Sequence, residues 1–348
     1  MEEISFTSIM SPENLFLAWK EFVRGKKHKK DVMEFSVKLA ENIFNLHHEL
    51  KSKTYHHGGY QAFNISDPKP RNIHKASVRD RLLHHAIYRI LYFHFDEKFI
   101  HDSYSCRQWK GTHKALRRFE HFGRKVSLNN TRHCYVLKCD VRKFFASIDQ
   151  RILLDILRKH ISDSDTIWLL ERVIESFSST QLGKGLPLGN LTSQLLVNIY
   201  MNEFDQCMKH TFKIKYYIRY ADDFVIFNHD KSILEELLPK IGDYLEETLK
   251  LQLHPDKVFI TVLSSGVDFL GWMHFFNHRV LRCTTKKRMM RNVQNNLYNQ
   301  KIIQSYLGLL GHGNAYTLGT KVQGLSNYSP VSTPALYPQT SHPPSSSD

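Results

Sequence analysis

Apolar positions along the chain recur at two periods. The stretch SPENLFLAWKEFV opens with Ser11 as a cap and Pro12 at the first helical position, and DVMEFSVKLAENIFNLHHEL carries apolar residues at helical spacing, so both predict helix. The basic run RGKKHKK between them is either a solvated loop or a phosphate contact. Residues 58–78, GGYQAFNISDPKPRNIHKASV, mix glycine, proline and β-formers and predict short strands and turns ahead of a helix at DRLLHHAIYRILYFHF. CYVLKCD reads as a buried strand ending at Asp140, and DQRILLDILRKHI as a helix capped by Asp149. Beyond the Gly-rich turn LGKGLPLGN come a helix at LTSQLLVNIYMNEFD, a hairpin around YIRYADDFVIF and a helix at SILEELLPKIGDYLEETLK. Strand-like LQLHPDKVFITVL and GVDFLGWMHFF follow. The order predicts an α+β fold with helices packed on one face of a sheet.

Charge adds a partner to this picture. The 348 residues hold 48 Lys and Arg against 34 Asp and Glu, a formal +14. Such an excess points to a polyanion, and to nucleic acid rather than membrane, because no basic amphipathic helix or long apolar span is evident. The alternative is a solvated basic surface. After Asp268 no acid occurs until Asp348, while Arg279, Arg282, Lys286, Lys287, Arg288 and Arg291 crowd one segment, which phosphates explain better than internal ion pairs. Five cysteines without a C-x-x-C pair read as reduced core residues, and the start MEEISFTSIMSPENLF lacks a secretory pattern, so a cytoplasmic location is expected. The doublets among the 21 histidines would point to different faces, which argues against a histidine metal site.

Two adjacent acids inside an apolar hairpin are costly. Asp222 and Asp223 are turn formers, or they join Asp140 at neighbouring strand ends as a cluster of hard oxygens suited to Mg2+. Two divalent ions held there would activate a hydroxyl and stabilise the leaving oxygen in phosphoryl transfer.

At this point a resemblance is specific. YADD in an apolar hairpin, after CDVRKFF and GLPLGNLTSQ in that order, resembles the palm of a reverse transcriptase, with similarity from about residue 60 to about 318. It implies a right-hand polymerase architecture with fingers, a ferredoxin-like palm and a short helical thumb. The divisions would be a 1–57 helical region, 58–130 fingers, 131–275 palm, 276–318 thumb and a disordered Ser/Pro-rich tail at 319–348. Asp140, Asp222 and Asp223 would hold two Mg2+ ions, for which Mn2+ can substitute, and the Val141 carbonyl would join them. Phe145 matches the position that blocks a ribose 2′-hydroxyl, its alternative being a core phenylalanine, with Phe144 the better core candidate. In PKPRNIHKASVRDR, Arg71 would grip the nucleotide triphosphate, with Lys69 and Arg81 as lesser partners. Arg107 and Lys110 would steer the template. Lys257 would donate a proton to pyrophosphate, unless it is a surface lysine beside Asp256. FLGW, Phe269, Leu270, Gly271 and Trp272, matches the primer grip, and Lys286, Lys287, Arg288 and Arg291 would begin a thumb helix on the duplex.

The segment LPLGNLTSQ separates subtypes. Leu188 before Gly189, with Gln194 after Ser193, looks like the reverse transcriptases of diversity-generating retroelements, which copy a template RNA with frequent errors opposite adenine. Leucine near the incoming base removes hydrogen-bonding capacity where pairing is checked. The resemblance implies template RNA, a DNA or RNA primer, dNTPs and a small basic accessory protein as partners, and no membrane. An intron-like or phage-defence enzyme, or a non-catalytic RNA-binding module, are the alternatives.

Overall fold

The computed structural model describes residues 4–66 and 70–326. The chain divides into two units, Met1–Leu270 and Gly271–Asp348.

The first unit opens with α1 (Phe6–Met10), α2 (Pro12–Phe22), α3 (Lys30–Val37) and α4 (Leu39–Lys51). Ser11 caps α2 as expected, accepting the Asn14 N–H ahead of Pro12. The apolar stretch 31–50 forms two helices because Lys38 leaves helical backbone, with φ −117° and ψ 41°. An antiparallel hairpin, β1 (Gln61–Ile65) and β2 (Arg71–Lys75), leads into α5 (Val78–Asp96) and α6 (Thr112–Val126). Then come β3 (Tyr135–Asp140), the short α7 (Phe144–Ser147), α8 (Gln150–His160), α9 (Ser164–Glu175) and α10 (Leu191–Gln206). The unit closes with β4 (Tyr217–Tyr220), β5 (Asp223–Asn228), α11 (Lys231–Leu249), β6 (Phe259–Val262) and β7 (Val267–Phe269). Asp149 caps α8, accepting the N–H groups of Arg151 and Ile152.

Four strands form an antiparallel sheet in the order β4-β5-β3-β6, which is the predicted ferredoxin-like palm. The sheet is covered on both faces rather than one. Alternate residues of a strand point oppositely, and in β5 both sets are apolar: Phe224 meets Phe204 of α10, while Phe227 lies 4.8 Å from Phe119 of α6. α6 lies so close that a β-carbon at Gly123 would come within 2.7 Å of Leu263. Helix α10 packs against α5, α8 and α11, so a continuous apolar core backs the sheet.

The second unit holds a hairpin of β8 (Trp272–His274) and β9 (Arg279–Leu281), followed by α12 (Cys283–Gln294), α13 (Gln300–Leu310) and α14 (Tyr316–Ser326). Helix α12 buries Thr285, Met289 and Val293 along one stripe and exposes Lys286, Lys287 and Arg291. The predicted tail was to start at 319, but α14 carries helix to Ser326, because the prolines begin only at Pro330. The rest of that tail lies outside the described residues. Among the described residues no helix is long and apolar enough to cross a membrane.

Candidate functional site

The sheet register brings the three aspartates together. Asp140 ends β3 directly opposite Asp223, the first residue of β5, and the Val141 N–H donates to the Asp222 carbonyl at 3.1 Å. Two Cα partners on neighbouring strands are close enough for like charges to repel. Burial, then the Asp140 charge, raises the Asp222 carboxyl above its ordinary range, and burial pushes Asp223 up to about 7, with both neighbouring carboxylates adding to the shift.

Two lysines partly offset this charge. Lys257 Nζ donates to Asp140 Oδ1 at 2.9 Å, so it stands at the carboxylates and not merely beside Asp256. Buried Lys138, on β3, places its ammonium 3.3 Å from Asp223 Oδ1, an ion pair that works against the effect of burial on that carboxyl. Carboxylates that already draw two ammonium groups suit a cation ligand. Among the described residues no three acidic, imidazole or thiol groups converge tightly enough to cage an ion. A Mg2+ ion would need only one or two of these carboxylates and would complete its shell with water and substrate phosphates.

The turn carrying the acids is held from beneath by Arg219, which the sequence pattern left as an ordinary strand residue. Its side chain is 0% exposed, as is that of Asp205 on α10. Arg219 grips Asp205 through Nε and Nη2, the latter at 2.6 Å, and reaches Ser103 Oγ and Asn198 Oδ1. Tyr217 adds a third donor to Asp205. The remaining Arg219 hydrogen bond goes to the Ala221 carbonyl at 3.0 Å. Ala221 is left-handed, φ 57°, a costly conformation for a residue with a β-carbon, and it immediately precedes Asp222.

The β1–β2 hairpin lies near the same strand ends. Arg71, exposed at the start of β2, is close enough for its charge to act on Asp222. The Leu188 carbonyl accepts the His74 N–H at 3.1 Å, and Asn190 Nδ2 donates to the His74 carbonyl, which pins the Gly-rich turn to β2. Gly189 has φ 106°, and a β-carbon there would come within 2.8 Å of Ile73. Gln194 lies half-buried in the first turn of α10. Phe144 is buried, as expected, and Phe145 stays partly exposed beside it, their rings 5.6 Å apart. Lys69 lies outside the described residues.

Several predicted contacts are corrected. Arg107 is buried and spends its guanidinium on Asp96 and on the Ile100 and Ser103 carbonyls, so it braces a loop instead of touching a template. Arg81 pairs with Asp31 and lies over the Phe22 ring. The Phe269 ring is buried, stacked 5.4 Å from Phe119, and Trp272 is buried with Gly313 against its ring. Both rings are spent on packing. In FLGW only Leu270 and Gly271, both left-handed, are half-exposed. Lys110 remains half-exposed, donating to the His101 carbonyl.

Comparison with known proteins decides the family: a model described as "Reverse transcriptase (RNA-dependent DNA polymerase)" matches residues 65–274. The chain belongs to the reverse transcriptase family. Protein YkfC of Escherichia coli (strain K12) is 28% identical over 269 residues, covering 66% of this chain and 68% of the relative. The group II intron-encoded protein LtrA of Lactococcus lactis subsp. cremoris is 21% identical, covering 71% of this chain and 51% of its own length. Nuclear intron maturase 3 of Arabidopsis thaliana is 23% identical, with 71% and 38% covered. The chain thus spans about two thirds of one relative, about half of the intron-encoded protein and less than half of the maturase. Among solved structures, telomerase from Candida albicans matches at a TM-score of 0.50 and 13% identity, over 81% of this chain and 57% of that one. That likeness concerns the fold alone.

The charge balance of this reverse transcriptase site sets a pH dependence. The raised Asp223 carboxyl contributes stability to the metal-free protein that is fully present below the ordinary carboxylate range and is lost as pH rises toward 7. Mg2+ held by these carboxylates would require their ionised form. Millimolar Mg2+ is therefore expected to raise the melting temperature clearly at pH 8 and barely at pH 5.5, measured by calorimetry; equal shifts at both would contradict the assignment.

Proposed function

We propose that this chain is an RNA-directed DNA polymerase that forms phosphodiester bonds at Asp140, Asp222 and Asp223. The observation that carries the reading is the register: three carboxylates share one sheet end, where they draw the ammonium groups of Lys138 and Lys257. Two Mg2+ ions, or Mn2+ in their place, would be held by these three residues and the Val141 carbonyl, and when bound would activate the primer 3′-hydroxyl and stabilise the leaving oxygen. Arg71 grips the triphosphate of the incoming dNTP. Lys257, already at Asp140, holds a proton for the departing pyrophosphate. Phe145 closes the space beside the sugar. Phe145→Ala is expected to weaken exclusion of ribonucleotides about tenfold or more, measured as the ratio of kcat/KM for dNTP and rNTP; unchanged discrimination would remove it from the nucleotide site.

The finer role proposed is error-prone copying for a diversity-generating retroelement in the cytosol, with a small basic accessory protein. Leu188 ahead of Gly189 supports this reading. The intron-encoded and maturase relatives support the second reading, an intron-like reverse transcriptase. Sequencing the cDNA made on a heteropolymeric RNA decides between them. Errors concentrated opposite template adenines, reduced in Leu188→Gln, favour the retroelement; accurate cDNA favours the intron-like enzyme.

A further inference from the structure

Helix α6 is a basic amphipathic helix that the sequence pattern did not reveal, and its apolar side is consumed by the sheet rather than left for a membrane. Ala115, Leu116, Phe119, Phe122 and Val126 are buried against the sheet, while Lys114, Arg117, His121 and Lys125 are all exposed. Spaced three, four and four residues apart, these basic side chains, three of them cations, fall on one line along the helix, about 16 Å from end to end. Two shallow clefts flank the line and meet at His121. Neighbouring acids are engaged: Asp102 holds Arg118, and Glu120 holds Arg124. No carboxylate pairs with Lys114, Arg117 or Lys125 among the described residues. The row starts at the catalytic end of the sheet, where Thr112 Oγ1 lies 3.1 Å from the Tyr220 hydroxyl, and runs away from it, since Phe122 packs on Tyr216 at the other end of β4. Near the start, Trp109 stands 86% exposed on a left-handed turn.

We propose that this face of α6 is a docking track for an RNA strand outside the catalytic site. A row of cations with no acids to satisfy them supplies sequence-independent phosphate contacts, and an exposed indole at one end offers a stacking platform for an unpaired base. An acidic protein would use the cations and the indole as well, but the line itself carries only polar side chains and lacks the apolar centre around which a protein interface is built, which favours RNA. The choice of RNA over DNA rests on the polymerase reading; the track itself rests on the surface.

The test uses the full chain with Lys114, Arg117 and Lys125 all changed to Gln. These exposed positions leave the core untouched, so the melting temperature should hold. Affinity for a long single-stranded RNA is expected to fall at least about tenfold, and the slope of log K against log salt to flatten by about 2 to 3. Extension of a short preannealed primer–template at saturation should stay within about twofold. Trp109→Ala should lower RNA affinity several-fold and leave the salt slope unchanged. RNA affinity and slope equal to wild type in the triple variant would overturn the track, even with DNA synthesis intact. A wild-type chain that binds RNA along this face yet extends no primer would keep the track and defeat the polymerase reading instead.

Discussion

Arg219→Met is expected to lose about 3–5 kcal/mol of stability, because it strands the fully buried Asp205 carboxylate without its charge partner. Urea unfolding measures this directly. The interest lies in a second variant, Arg219→Met with Asp205→Leu, which removes both charges and should recover most of the lost stability. DNA synthesis should stay low in the double variant, since the Ala221 carbonyl still lacks the donor that holds the turn before Asp222. Faster amide exchange confined to residues 220–223 would accompany that loss. A double variant with full stability and full DNA synthesis would reduce Arg219 to a packing element.

Asp222→Asn should lower DNA synthesis by about three orders of magnitude or more, since charge stabilisation by held metal ions is worth several kcal/mol and each tenfold is about 1.4 kcal/mol. Two other properties should move differently. RNA affinity should remain within about twofold, because phosphate contacts elsewhere dominate it. The metal-free protein should become more stable above neutral pH, since burial and the Asp140 charge both work against an ionised Asp222. Lost RNA binding alongside lost synthesis would point to misfolding rather than to a catalytic carboxylate.

Much of the fold was legible because local signals agreed with the global arrangement. Ser11 with Pro12 and Asp149 mark helix starts by chemistry that needs no partner, and CYVLKCD ends its apolar run where the strand ends, so Asp140 could be placed against the hairpin acids. Positions whose role depends on distant partners were not legible. Arg219 looks like any strand arginine until Asp205 and Ser103, far apart in sequence, close around it. Arg107 fits a motif for template contact, yet Asp96 and two carbonyls consume it. Phe269 and Trp272 are apolar residues that a grip and a core would both use, and burial alone separates the two. The second cover of the sheet was hidden for a similar reason: FVIF in β5 announces two apolar faces without saying what packs on each.

The most direct measurement is primer extension by the purified wild-type chain on a heteropolymeric RNA template with Mg2+ and all four dNTPs, with Asp222→Asn run beside it. The carboxylate assignment predicts template-complementary DNA from the wild type and essentially none from the variant, with both binding RNA alike. RNA bound by both and extended by neither, with native template and accessory protein supplied, would contradict it and leave an RNA-binding module built on a polymerase fold.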